Sequence, residues 1–442
     1  MLTMLEAPVL AFILAYVIRY IADPMSNIYI FRENENIPIF IFMSLIVALF
    51  LGLIVSAEEI FRDRKILKRE AFLNLSKSSY LISKILILIA ISALQSLMFV
   101  LIANSILEVK GMYFTYWLAL FSTAVFANIL GLNISASFNS AVTIYIIIPL
   151  LMIPMMVLSG AMFSFDKLNR NVGSINKVPL VAEFMVTRWS YEALMVHQFK
   201  DNRFERLPGV ASYPSLYDIQ KRESAADFRQ VYLIPELENR FNSCFDEFST
   251  KGKIEESTGD LKTLYNEVKK ELALNSAASF DLSLLSPEQF DIDAAFLLEA
   301  FIEAMNERYI MEFTRANSEK EKLIAIMLEQ NAPLYTRLKN SYQNEHLGEI
   351  VKKSFEKNKI LEFNHELVQQ IDPIYKDPTT TGLINVRTHF FAPRKFFAGT
   401  FFDTYRFNIC LIWVYSALLY VALYYDWLKK LMYFFGRIRL KK

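Results

Sequence analysis

The chain has 442 residues, 54% of them hydrophobic and 14% aromatic. Two or three soluble domains would fit that length, but the apolar excess is that of a membrane protein. The 47 Lys and Arg nearly balance the 46 Asp and Glu, and the basic residues sit beside apolar runs rather than in one patch, so nothing favours nucleic acid as a partner.

The N-terminus is apolar almost from Met1, without the basic flank and small-residue cleavage site of a removable signal, and reads as a retained first span. A helix needs about 20 mainly apolar residues to cross the hydrocarbon core. Candidates run roughly from Leu5 to Ile21, Ile37 to Ser56, Tyr80 to Leu107, Met112 to Asn133, Ala141 to Gly160 and Phe407 to Tyr425. Pro8 suits a first helical turn and Pro24 a stop. Arg19 reads as snorkelling from the end of the first span. Gln95, Asn104, Asn128 and Asn133 read as interhelix hydrogen-bonding groups. Pro149 and Pro154 would bend the fifth span.

Between the second and third spans lies EEIFRDRKILKREAFLNLSKSSYLISK, Glu58 to Lys84, with seven Lys or Arg against four acids. Ile60, Leu67, Ala71 and Leu75 fall on one helical face, which suits either an interfacial helix on anionic lipid or a docking helix for a cytoplasmic partner. The tail after the last span carries Lys429, Lys430, Arg437, Arg439, Lys441 and Lys442. Cytoplasmic loops retain positive charge, so six spans with both termini inside put both basic segments on that side. Everything from about 161 to 405 then lies outside.

The expected fold is an all-α membrane protein with six transmembrane helices and a mainly helical exterior domain inserted between spans 5 and 6. Residues 1–160 hold spans 1 to 5, with a cytoplasmic helix near 58–79. Residues 161–199 form an exterior segment, 200–405 the exterior domain, and 406–442 the sixth span and basic tail. Within the domain, Ala294, Leu297, Leu298, Phe301, Ile302 and Met305 give Asp293 to Arg315 a helical stripe, and Asp281 to Asp291 reads as a connection.

Motifs for chemistry are few. His197, His346, His365 and His389 are scattered, and no Cys or His spacing for a metal occurs; Cys244 and Cys410 give no disulfide framework. His365 in Asn364-His365-Glu366 could offer a base, but reads first as an exposed helix residue. Asp291-Ile292-Asp293 has the DxD form of a metal-bound nucleotide-sugar site and reads first as a helix N-cap. There is no G-x-x-x-x-G-K-[ST] phosphate loop and no G-x-S-x-G nucleophile turn. No catalytic residue, metal ligand or cofactor is therefore assigned to this chain.

Arg64-Lys65-Ile66-Leu67-Lys68-Arg69-Glu70, followed after nine residues by Tyr80-Leu81-Ile82-Ser83-Lys84, resembles the loop between the second and third spans of ABC transporter permeases of the ABCG (White/PDR) type. Leu158-Ser159-Gly160 and then Thr187-Arg188-Trp189-Ser190-Tyr191-Glu192-Ala193-Leu194 resemble the same family's motif after its re-entrant exterior segment. The resemblance covers about residues 1–200 and 405–442. It implies the membrane half of a dimeric exporter, homodimeric or heterodimeric, in which ATP and Mg bind to a partner ATPase domain or subunit. Arg62, Arg64, Lys68, Arg69, Glu70, Tyr80 and Lys84 would couple to that ATPase. Gly160, Arg188, Tyr191 and Glu192 would form the re-entrant motif. Phe42, Met43, Asn128, Thr143 and Tyr145 are candidate lining of a substrate cavity.

Two departures stand out. The family's ATPase is usually fused ahead of the first span, whereas only a few residues precede it here, so the ATPase is expected on a separate chain or an upstream part of a longer one. The exterior segment is also far longer than usual, and 200–405 carries over no function beyond a substrate gate or a platform for an envelope partner. The resulting expectation is an ATP-driven exporter of an amphipathic substrate such as a lipid or glycan, in a bacterial inner membrane. The alternative is a non-transporting protein that passes conformational signals to its exterior domain.

Overall fold

The computed structural model describes residues 2–439 apart from 24, 71–75, 139, 170–172, 174–176, 210–212, 276–277, 380–383 and 386. The chain divides into two compact units, one of residues 1–204, 336–348 and 377–442, the other of residues 205–335 and 349–376.

The first unit is a helical bundle. In chain order it contains α1 (Leu2–Ile18), α2 (Ile37–Ala57), α3 (Glu59–Glu70), α4 (Lys77–Ile106), α5 (Tyr113–Ser137), α6 (Ala141–Val157), α7 (Leu180–Glu183) and α8 (Val186–Lys200). Among the described residues, four helices are long and apolar enough to cross a membrane: α2 with its continuation to Arg64, α4, α5, and the C-terminal helix that starts at Thr404. The first and fifth candidates form the shorter apolar helices α1 and α6, each of 17 residues. Pro8 lies inside α1 rather than in its first turn, because the helix starts three residues before the expected Leu5.

Helix α5 is the most enclosed of the four long helices, and α2 packs along it. Their approach depends on glycine. A Cβ on Gly52 of α2 would lie 2.7 Å from the Ala124 carbonyl oxygen, and one on Gly131 of α5 would come 3.1 Å from the Leu53 oxygen. Small residues at such crossings let backbones approach where no hydrophobic force between helices is available. Hydroxyls in the apolar helices bond back to carbonyls one turn earlier, as in Ser56 to Gly52, Ser122 to Leu118 and Ser137 to Asn133, which spares them an unpaired donor in lipid.

The amides behave as interhelix groups in two places. Asn128 donates to Ser92 Oγ at 2.8 Å and to the Leu88 carbonyl, and Asn133 reaches the Leu419 carbonyl at 3.1 Å. Arg19 is not a free snorkelling cation. Its guanidinium donates to Glu108 at 2.8 Å and to the Ile106 carbonyl, and stacks 4.1 Å from the Tyr29 ring centre. Asn344 donates to the carbonyls of Phe31 and Asn34, both at 2.8 Å, which fastens residues 336–348 to this unit.

The second unit has its own hydrophobic core. Helices α9 (Leu216–Phe228), α10 (Ile234–Lys251) and α11 (Thr258–Leu274) and the first part of α12 (Ile292–Tyr342) surround Leu237, Cys244, Leu264, Val268, Leu298 and Ile302. Amphipathic spacing explains α12: the expected stripe places Ala294, Leu298, Ile302 and Met305 in the core, whereas Leu297 of the same stripe is exposed. Asp291 caps it, its carboxylate accepting the Ala294 N–H at 2.7 Å, as the cap reading of the DxD triplet requires. The helix breaks at Asn331, whose φ and ψ are −164° and 79°, two residues before Pro333. Ser215 and Asp218 form a reciprocal capping box at the start of α9. Helix α13 (Glu345–Lys352) follows α12.

The protein is mainly helical but not all-α. Strands β1 (Ile360–Phe363) and β2 (Glu366–Gln369) form an antiparallel hairpin, and β3 (Ile384–Asn385), β4 (Arg394–Phe397) and β5 (Thr400–Asp403) a three-stranded sheet in the order β3-β4-β5. Both hairpins turn through two residues with positive φ, Asn364 and His365 in one and Ala398 and Gly399 in the other. That conformation matches the twist of paired strands. His365 is therefore a turn residue, not the exposed helix residue expected. The last helices are α14 (Thr404–Tyr424), capped by Asp403, and α15 (Trp427–Arg439).

Candidate coupling and re-entrant sites

Helix α3 begins where α5 ends. The Ser135 hydroxyl accepts the N–H groups of Ile60 and Phe61 at 3.1 and 2.9 Å, satisfying donors that the first turn of a helix leaves free. In return Arg64 donates to the Ser135 and Ala136 carbonyls at 2.9 and 2.7 Å, a cation on the carbonyl end of α5. The acids of α3 turn to α4. Lys84 reaches Glu59 at 2.7 Å and Asp63 at 2.8 Å, and the Tyr80 hydroxyl donates to Asp63 at 3.0 Å. Arg62 is exposed and pairs with Glu59, and Arg69 is exposed. The side chains of Lys68 and Glu70 lie outside the described residues, as do Ala71 and Leu75. Among the candidate coupling residues, then, Arg64, Tyr80 and Lys84 hold α3 in place, while Arg62 and Arg69 face outward.

The second constellation is buried. Gly160 ends the α6 segment with φ +79°, and a Cβ there would meet the Phe390 ring at 2.6 Å. Only glycine suits that position. Tyr191 is buried among rings, with Phe42 at 6.1 Å, Phe391 at 6.2 Å and Phe390 at 6.5 Å between centroids. Glu192 is the hub. One carboxylate oxygen accepts from Lys395 Nζ at 2.9 Å and the Phe391 N–H at 3.1 Å, and the other from Asn408 Nδ2 at 2.9 Å. Lys395 also donates to Thr388 at 2.7 Å. These bonds join α8, β4 and α14. Burial pushes the Lys395 ammonium down to about 8, with Glu192 pulling the other way.

Arg188, fully buried, lies over the Trp189 ring at 3.7 Å, and its Nη1 stands 3.4 Å from Glu183 and 3.5 Å from Glu192. Sequence reasoning found Arg188 and Glu192 but missed Glu183, Thr388, Lys395 and Asn408. Lys395 sits 203 positions from Glu192, and no local pattern links them. Its one sequence signal is a lysine inside the aromatic run Arg394-Lys395-Phe396-Phe397, the strand β4, whose two middle residues are both buried.

The candidate cavity residues do not share one surface. Phe42 and Asn128 are buried in packing and hydrogen bonds, whereas Tyr145 is exposed and Met43 and Thr143 are half-buried. A void of about 10 Å³, room for one water, lies between α2, α4 and α5 beside Ser92, Gln95 and Ser96. None of the five candidates lines it. Donor atoms of His197, Asp201 and Asp403 lie within 4.8 Å of one another, a grouping that sequence spacing does not reveal; Lys200 already places an ammonium on Asp403.

Four long apolar helices and a bundle core held by buried polar hubs define an integral membrane protein. Residues 2–199 match the family model described as ABC-2 type transporter, and this part of the chain is similar to the membrane domains of that family. No curated protein matches the chain.

Proposed function

We propose that the chain is the membrane-spanning permease of an ATP-driven exporter that moves an amphipathic substrate such as a lipid or glycan. ATP hydrolysis with Mg is supplied by an ABC ATPase carried on another chain or an upstream segment. Two permease domains, alike or different, enclose the path, and the loop helix α3 receives the ATPase movement. The observation that carries this reading is the ABC-2 match over residues 2–199. Support for α3 as the coupling element comes from its anchoring. Ser135 and Arg64 tie it to α5, and Lys84 and Tyr80 tie it to α4, so a push on its outward face would reach two long helices directly. Export requires two packings of the bundle whose populations are shifted by nucleotide binding to the partner.

The reading includes six crossings with both termini cytoplasmic and 161–405 outside, supported by the basic 58–84 segment and the basic tail and by four long and two shorter apolar helices. The placement fits a bacterial inner membrane, with the second unit facing an envelope partner. Its separate core also supports the second reading, in which ATPase movement passes to that domain without transport. The coupling claim is tested by co-purification of the ATPase with the chain. Arg69→Glu should reduce recovery of the ATPase at unchanged membrane insertion; equal recovery would leave α3 as a lipid anchor.

A further inference from the structure

Glu183, Arg188 and Glu192 present an imbalance of hydrogen bonding inside a buried site. Among the described residues, none of the three guanidinium nitrogens of Arg188 has a hydrogen-bond partner, although the side chain is wholly buried. Neither carboxylate oxygen of Glu183 has one either, and that residue is 7% exposed. Glu192 is the opposite case, with three donors on its two oxygens. A buried guanidinium strongly favours a two-pronged pair with a carboxylate, and unmade bonds of this kind are costly. Arg188 thus stands almost midway between a carboxylate with free acceptors and one that is nearly filled, at 3.4 and 3.5 Å.

We propose that Arg188 is a two-position latch of the exterior end of the bundle. In the engaged position it forks onto Glu183 and pins α7 to α8. In the released position it adds to the Glu192 cluster, which already unites α8, β4 and α14, and α7 is left with the bonds that the Glu183 carbonyl accepts from Trp189 and Tyr415. The Nη1 atom stands at nearly equal distance from one oxygen of each carboxylate, 3.4 and 3.5 Å. The guanidinium lies over the Trp189 indole, 3.7 Å from the ring centre, a cation–π contact available in both positions. The Trp189 N–H bonds the Glu183 carbonyl at 2.7 Å, so the indole carries the position of α7 to the arginine. The latch rests on the permease reading, in which the exterior end must open, but its test needs neither ATPase nor substrate.

The test uses the full chain in nanodiscs with Cys410→Ser, which removes the exposed thiol. Ala182, wholly buried on α7, is replaced by Cys and its maleimide labelling rate followed. Should Ala182→Cys fail to fold, Val178→Cys in the same small core reports instead. Glu183→Gln removes the engaged position and should raise labelling about tenfold, the scale of one charge-assisted bond, at an unchanged melting temperature. Glu183→Asp, which keeps the charge, should return the rate toward the parent. Labelling that is unchanged in Glu183→Gln, or that rises only together with a fall in melting temperature, would overturn the latch and leave a static ion pair. Either result leaves the transport reading standing, because that is decided by substrate movement.

Discussion

The Lys395 ammonium lies 2.9 Å from the Glu192 carboxylate, both side chains wholly buried, 203 positions apart in the chain. This pair fixes β4 against α8, and Asn408 brings α14 to the same carboxylate. Removing one partner of a buried pair leaves an uncompensated charge, which typically costs about 3–5 kcal/mol. Lys395→Met should therefore lower the melting temperature of the detergent-solubilised chain sharply. The double variant Lys395→Met with Glu192→Gln should be less destabilised than the sum of the single variants. Strict additivity would show that the two groups do not interact.

Close approach of α2 and α5 makes a second prediction. Gly52→Ala would push a methyl group to 2.7 Å from a backbone oxygen, a contact that no side-chain rotation relieves. Overpacking of this kind costs about 1–3 kcal/mol, and the variant should melt earlier than the parent. Gly252→Ala, at the end of α10 with open space around it, is the control for a strained φ of 69° without a clash.

The basic helix separates structural from outward charges. Arg64→Glu would lose two bonds to the carbonyl end of α5 and place a carboxylate beside it, so folding yield should fall. Arg69 is exposed, and Arg69→Glu should fold normally. Size-exclusion profiles of the two variants check this. Equal, normal yields would mean that the Arg64 bonds contribute little.

Burial pushes Glu205 in the second unit up to about 7, with Lys352 opposing, from a usual value of 4.5. A carboxyl whose folded value is raised binds its proton more tightly in the folded state. Its contribution is fully present below pH 4.5 and is lost as pH rises towards 7, by on the order of 3 kcal/mol. Glu205→Gln mimics the protonated form. It should match the parent near pH 5 and melt higher at pH 8, so that the difference between the two chains grows with pH. A constant difference across that range would contradict the assignment.

Much of the architecture was legible because it depends on local pattern. The apolar runs became helices near the expected bounds, and the 3–4 spacing of Ala294 to Met305 gave the inner face of α12. Asp291 acted as the cap that its place before the stripe suggested. The hairpins were not legible, because Asn364-His365 and Ala398-Gly399 lack the Asn-Gly signal of such turns and the strands span only four residues each. The polar hub was half legible. Arg188 and Glu192 belong to one helix and a quotable motif, whereas Lys395, Thr388 and Asn408 reach it only through folding. The inward turn of Arg64 was equally hidden, since charge counting gives a segment's side of the membrane but not the direction of each side chain.

Substrate movement tests the central claim most directly. The chain, co-purified with its ATPase and reconstituted into lipid vesicles, would be assayed for ATP-dependent translocation of labelled lipids and glycans. The account predicts translocation of at least one amphipathic candidate that requires hydrolysable ATP. Robust ATP hydrolysis by the intact complex with no movement of any lipid or glycan candidate would contradict it.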